Sequence, residues 1–151
     1  MSASEKLAEL GIELPGVAAP VASYIPAVRT GAHVYTSGQL PFVEGALAAT
    51  GKVGGEVSPE EAKQYARTAT LNALAAVHDL VGIDAITRVV KVTGFVASAE
   101  GFNGQPAVIN GASELLGEVF GDTGAHARSA VGVAELPLGA PVEVELIVEV
   151  A

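Results

Sequence analysis

Apolar residues return at every third or fourth position along residues 59–81: Ala62, Ala66, Ala69, Ala73, Ala76, Val77 and Leu80. That spacing follows the 3.6-residue turn and predicts one long amphipathic helix whose buried face is made of small side chains. Its start is marked by SPEE, with Ser58 at the N-cap, Pro59 at the first helical position and Glu61 at the third, a capping-box pattern. Gly82 follows as a stop. A second helical pattern runs from Pro106 to Phe120, with Val108, Ile109, Ala112, Leu115, Leu116, Val119 and Phe120 on one face. Gly111 and Gly117 weaken it and Gly121 ends it. SEKLAELG, near the start of the chain, reads as a short helix ending at Gly11.

Near the C-terminus the period changes to two. Val142, Val144, Leu146, Val148 and Val150 face one way, and Pro141, Glu143, Glu145, Ile147 and Glu149 the other. This is a strand with one buried face. A further strand is expected over Ala127 to Val133, joined to the last one by the turn-rich loop ELPLGAP. Ala85 to Val96 is rich in β-branched residues and reads as a strand. VASYIPAVRTGAHVYTSGQLP suggests two strands around the turn Arg29-Thr30-Gly31. Residues 12–20 read as an extended linker, and FVEGALAATGKVGGEV as a glycine-rich loop with room for a short strand pair. The order of strands, helix, strand, helix, strands gives an α+β domain with two helices packed on one sheet.

Length adds that 151 residues make one domain, 1–151, with residues 1–20 as an N-terminal extension. Half the residues are apolar and 17% charged, too apolar for disorder. No apolar run reaches the ~18 residues of a membrane span. The N-terminus carries Glu5 and Glu9 and no basic, apolar leader, so a cytoplasmic location and no membrane partner are expected. Cysteine is absent, which removes thiolate nucleophiles and cysteine-based zinc sites. The net charge is −9 and the eight basic residues are scattered, so the basic stripe of a nucleic-acid binder is lacking and no nucleic-acid partner is expected.

The candidate chemistry is then narrow. Arg128 opens the strand HARSAVGV between small neighbours, and a guanidinium matches a carboxylate bidentately. From pattern alone it serves equally as a ligand clamp or as half of a structural Arg–Glu pair. Glu143 stands at the loop end of the last strand, where sites are often built, whereas Glu145 and Glu149 read as a solvated acidic face. His33 and His78 read as structural; His126, two residues from Arg128, stays open to either role. No metal-ligand spacing is present among the histidines, and neither GxGxxG nor a P-loop occurs. TSGQLP, residues 36–41, ends a strand in small residues where backbone N–H groups can approach a ligand. A plain strand exit explains that segment equally well.

Three segments resemble the Rid family, the reactive-intermediate deaminases also called YjgF-like proteins and labelled L-PSP endoribonucleases. They are Tyr24 followed by VRTGAHVYTSGQLP, Asn110 opening NGASELLGEVFG, and HARSAVGVAELPLGAPVEVELIVEV, the most specific of the three. The resemblance covers about residues 20–150. It implies the YjgF-like (chorismate-mutase-like) fold, a homotrimer with clefts between subunits, and no cofactor or metal. It also implies hydrolysis of enamines and imines, such as 2-aminoacrylate and 2-iminobutyrate, to 2-keto acids and ammonia. Carried over residue by residue, Arg128 grips the substrate carboxylate and Glu143 orients or deprotonates water. Ser37 and Gly38 contact the substrate, while Tyr24 and Asn110 shape the pocket. Many members carry a cysteine where this chain has Ala130, and the N-terminus and residues 98–110 look longer than usual. The chain thus resembles a longer branch of the family, whose substrates the likeness does not specify. The alternative is a non-catalytic trimer that binds small 2-keto or imino carboxylates. A ribonuclease role is disfavoured by the acidic charge.

Overall fold

The computed structural model describes residues 1–17, 19–20 and 22–151. Its elements follow as α1 (Ala3–Glu9), β1 (Ala27–Thr30), β2 (His33–Thr36), β3 (Phe42–Val43), β4 (Ala46–Leu47), α2 (Pro59–Val81), β5 (Ile86–Ala97), α3 (Gln105–Phe120), β6 (Ala127–Val133) and β7 (Val142–Val150), with short 3₁₀ turns before β5, after α3 and before β7. β3 and β4 form a small separate hairpin, and the other five strands form one sheet in the order β1-β2-β7-β5-β6. β5 and β6 run parallel; the remaining neighbours are antiparallel. The predicted linker, residues 12–20, holds neither helix nor strand where it is described; Ala18 within it, and Val21, lie outside the described residues.

The helices begin as their caps dictate, with one correction. The Ser58 hydroxyl oxygen accepts the Glu61 N–H at 3.1 Å, but the Glu61 carboxylate takes the Ser58 hydroxyl at 3.2 Å instead of reaching its backbone N–H. The capping box at α2 is therefore half made. The complete box is at α1, which the sequence reading passed over: Ser2 accepts the Glu5 N–H while Glu5 takes the Ser2 N–H. α2 buries Ala62, Ala66, Ala69, Ala73, Ala76 and Val77 as its period demands, and Gly82 ends it at φ 85°. Leu80 is exposed instead, along with His78 and Asp79, while Val81 still packs against the core. The first hairpin turn also shifts. Thr30 pairs with His33, so the turn is Gly31-Ala32, with Gly31 at φ 58° where a two-residue hairpin turn favours glycine.

The helices lie on one face of the sheet. From β7, Val142, Val144, Leu146, Val148 and Val150 point into this core together with Leu74 of α2 and Ile109, Leu115 and Leu116 of α3. Each such large side chain contributes about 2 kcal/mol through removal from water. Glycines set how closely the layers approach. A Cβ on Gly111 of α3 would stand 2.0 Å from the Lys63 carbonyl oxygen of α2. A Cβ on Gly94 of β5 would overlap the Ile109 side chain at 2.5 Å.

The opposite sheet face carries no helix. Sheet register places Val28, Tyr35 and Ile147 in one row across β1, β2 and β7, and Glu143, Phe95 and Val131 in another across β7, β5 and β6. Val28, Tyr35 and Val131 are exposed. The result is a mixed surface on which these apolar side chains alternate with Glu143, Glu145 and Glu149 and with His33, Thr93 and Ser129, and that surface frames the site.

Candidate active site

β2 parts from β7 through a bulge. Tyr35 pairs with Ile147, and Gln39 next pairs with Val144. Four steps on one side answer three on the other, so one residue is extra. The buried Thr36 hydroxyl accepts the Leu146 N–H at 3.0 Å, standing in for the backbone acceptor the ladder has lost. Ser37 and Gly38 are thereby turned toward Glu143. The Ser37 N–H donates to the Pro26 carbonyl at 2.8 Å, and its hydroxyl donates to the Ile25 carbonyl, which fixes the segment. Among the described residues nothing accepts from the Gly38 N–H. A Cβ on Gly38 would lie 2.7 Å from Glu143 Cδ, so any side chain there would displace the carboxylate.

These residues line a cavity of about 520 Å³ with Tyr24 and Glu145. Leu40, Phe42, Phe95 and Pro137 supply apolar walls, and Pro20 and Ala22 of the N-terminal segment close one side. Asn72, buried on α2, donates to the carbonyls of Leu40 and Phe42, both at 3.0 Å, and so pins one wall to the core. Burial pushes the Glu143 carboxyl above its ordinary range, and the like charge of Glu145 two residues on adds to this. A carboxylate shifted this way is a stronger base when ionised. Glu149, by contrast, accepts the Thr87 hydroxyl at 2.8 Å.

Arg128 lies elsewhere. It pairs with Val92 on β5, whereas Glu143 pairs with Phe95. Those partners stand three positions apart along one strand, an odd step, so the two side chains leave opposite faces of the sheet. Arg128 turns to the helix side, where Nη1 donates to Asn110 Oδ1 at 2.8 Å and to Ser113 Oγ at 3.3 Å, both on α3. Among the described residues no carboxylate oxygen comes within 4.0 Å of it, so the structural Arg–Glu pair is not formed within the chain. Nor does any of them accept from Nε or Nη2. The protein holds one nitrogen and leaves the edge that grips carboxylates bidentately.

The six residues singled out from the sequence therefore form two groups within one chain: Tyr24, Ser37, Gly38 and Glu143 around the cavity, and Asn110 with Arg128 at the edge strand. Thr36, Asn72 and Ser113 were not singled out. Their signal is a polar side chain on a pattern position of an element, and it reads as function only once the partners are known. No group of three or more His, Asp or Glu able to hold a metal ion occurs among the described residues. No helix among them is long and apolar enough to cross a membrane.

Residues 4–150 match the family model described as "YjgF/chorismate_mutase-like, putative endoribonuclease". The chain is 43% identical over 145 residues to Protein TCP17 of Trypanosoma cruzi, covering 95% of this chain and 91% of that one. It is 34% identical over 137 residues to a 2-iminobutanoate/2-iminopropanoate deaminase of Dermatophagoides farinae, covering 91% and 93%. Among solved structures it superposes on the Agrobacterium tumefaciens protein Atu1372, of unknown function, with a TM-score of 0.90 and 44% identity over 99% of this chain and 92% of that one.

Proposed function

Since the chain belongs to the YjgF family and has its fold, we propose that it hydrolyses short-lived imines and enamines of small 2-amino acids to 2-keto acids and ammonia. The observation that carries this reading is the Arg128 guanidinium, held through one nitrogen by α3 with its carboxylate-binding edge unfilled. The raised Glu143 carboxyl, packed against Gly38, supports it.

The working site in this reading is shared between copies of the chain in a homotrimer. The cavity of one copy, with Tyr24, Ser37, Gly38 and Glu143, faces the Arg128 edge of the next. Arg128 neutralises the substrate carboxylate and fixes the imine carbon in place. Glu143 takes a proton from water as the water oxygen bonds to that carbon, and that proton passes to the imine nitrogen. The resulting carbinolamine then transfers its hydroxyl proton to the departing nitrogen, which leaves as ammonia as the carbonyl of the keto acid forms. An enamine enters the same sequence after a proton adds to its terminal carbon.

The test is a coupled assay in which threonine dehydratase generates 2-aminoacrylate from serine and 2-iminobutyrate from threonine, and decay of each is followed with and without this protein. Faster decay that is lost in Arg128→Ala is the expected result. No acceleration of either intermediate, with 2-keto acids still raising the melting temperature, would replace this reading by a non-catalytic binding trimer.

A further inference from the structure

Behind Arg128 stands a second pair of side chains. His126 Nδ1 lies 2.6 Å from the Gly124 carbonyl oxygen, and its Nε2 lies 2.9 Å from Ser113 Oγ. A carbonyl can only accept, so Nδ1 carries the proton. In the neutral ring Nε2 is then an acceptor, and the Ser113 hydroxyl hydrogen points to it. That fixes the Ser113 oxygen with its lone pairs turned away from the imidazole, and Arg128 Nη1 donates to that oxygen at 3.3 Å. The bonds run in one direction: Arg128 to Ser113, Ser113 to His126, His126 to Gly124.

The anchor of this chain is rigid. Gly124 is buried in the 3₁₀ turn after α3, so close to that helix that a Cβ on it would stand 2.4 Å from the Leu116 carbonyl oxygen. Ser113 lies one helical turn from Asn110, the other acceptor of Nη1. Two acceptors from one face of α3 therefore take both hydrogens of a single guanidinium nitrogen. With Asn110 alone, the guanidinium could pivot about that one bond, and its bidentate edge would lose its aim.

We propose that Ser113 and His126 are positioning residues that lock the rotation of Arg128 and so aim its Nε–Nη2 edge at the substrate carboxylate. This rests on the carboxylate-clamp reading above and adds the device that orients the clamp. His126 acts through the serine and touches no substrate.

The first test needs no turnover. In nitrogen-15 spectra of the protein, the Arg128 side-chain signals, identified by their loss in Arg128→Lys, are expected to show slow guanidinium rotation. Ser113→Ala and His126→Ala should each bring that rotation into fast averaging, and Ser113→Thr, which keeps the hydroxyl, should restore it. Unchanged Arg128 signals in both disruptive variants overturn the proposal. The second readout is the dissociation constant for 2-oxobutanoate, a stable carboxylate of the product class, together with KM and kcat on 2-iminobutyrate. Ser113→Ala and His126→Ala should each weaken binding and raise KM about tenfold, the size of one hydrogen bond to a charged group, with kcat nearly unchanged. The double variant should be no worse than either single one, because both break the same chain of bonds. Parental binding in these variants while Arg128→Ala binds poorly would overturn the positioning role and leave the clamp standing. Parental binding in Arg128→Ala would overturn the clamp itself, and the positioning role with it.

Discussion

A Cβ on Gly38 would meet a flexible side chain, not backbone: its near contacts are Cγ, Cδ and Oε2 of Glu143. Gly38→Ala can therefore fold by swinging the Glu143 carboxylate aside, and the loss should fall on chemistry more than on stability. The expected outcome is a fall in kcat of about a hundredfold, the low end of what a positioned general base supplies, with the melting temperature within a few degrees of the parent. Glu143 itself makes an opposite prediction for stability. Its folded pKa is raised, by burial first and by Glu145 second. Stability linked to this group is thus fully present below the ordinary carboxylate pKa, about 4.3, and is lost as pH rises through the raised folded value. Glu143→Gln removes that loss. Urea midpoints should show the inactive variant more stable than the parent at about pH 7 and equal to it at about pH 3.5. A constant difference across that range would contradict the buried-carboxylate assignment.

Gly111 and Gly117 look alike in the sequence, each a weak point in the same helical pattern, yet α3 uses them oppositely. Gly111 lets α3 touch the Lys63 carbonyl of α2, while nothing lies within 4 Å of a Cβ on Gly117. Gly111→Ala should destabilise the protein by about 2–3 kcal/mol through overpacking against backbone. Gly117→Ala should stabilise it by up to about 1 kcal/mol through helix propensity. Equilibrium denaturation of the two variants checks both signs. The contrast marks what could be read in advance. Period suffices for α2, α3 and β7, because burying one face of a helix or strand imposes that period. What one element does to another is not periodic. The bulge that turns Ser37 and Gly38 toward Glu143 depends on pairing with β7, so TSGQLP alone admits a plain strand exit. Arg128 and Glu143 stand out in the sequence as polar groups at strand ends. Their separation onto opposite sheet faces follows from register across β7, β5 and β6, which no single strand encodes. Ser113 becomes informative only with its partner, since a serine on a helix is ordinary until a guanidinium lies across from it.

For the whole molecule, that separation becomes a constraint on assembly. One chain offers a cavity lined by Glu143 and, on the far side of its sheet, the Arg128 guanidinium. The helix-free sheet face exposes Val28, Tyr35 and Val131, apolar area that a second copy can cover. If sites form between copies, a chain lacking only its clamp and a chain lacking only its base can together make an intact site. Arg128→Ala and Glu143→Ala chains should each be inactive as pure oligomers. Co-expressed with different tags and isolated as mixed trimers, they should regain up to about a third of the parental activity per site, because any mixed ring of three, whichever chain is in the majority, has a single junction at which an intact Glu143 cavity meets an intact Arg128 edge. Recovery at that level assigns the two groups to different copies. Mixed oligomers as inactive as either parent variant would mean that one copy supplies both groups, which needs a rearrangement carrying Arg128 around the edge of β6, and the shared-site reading would fall.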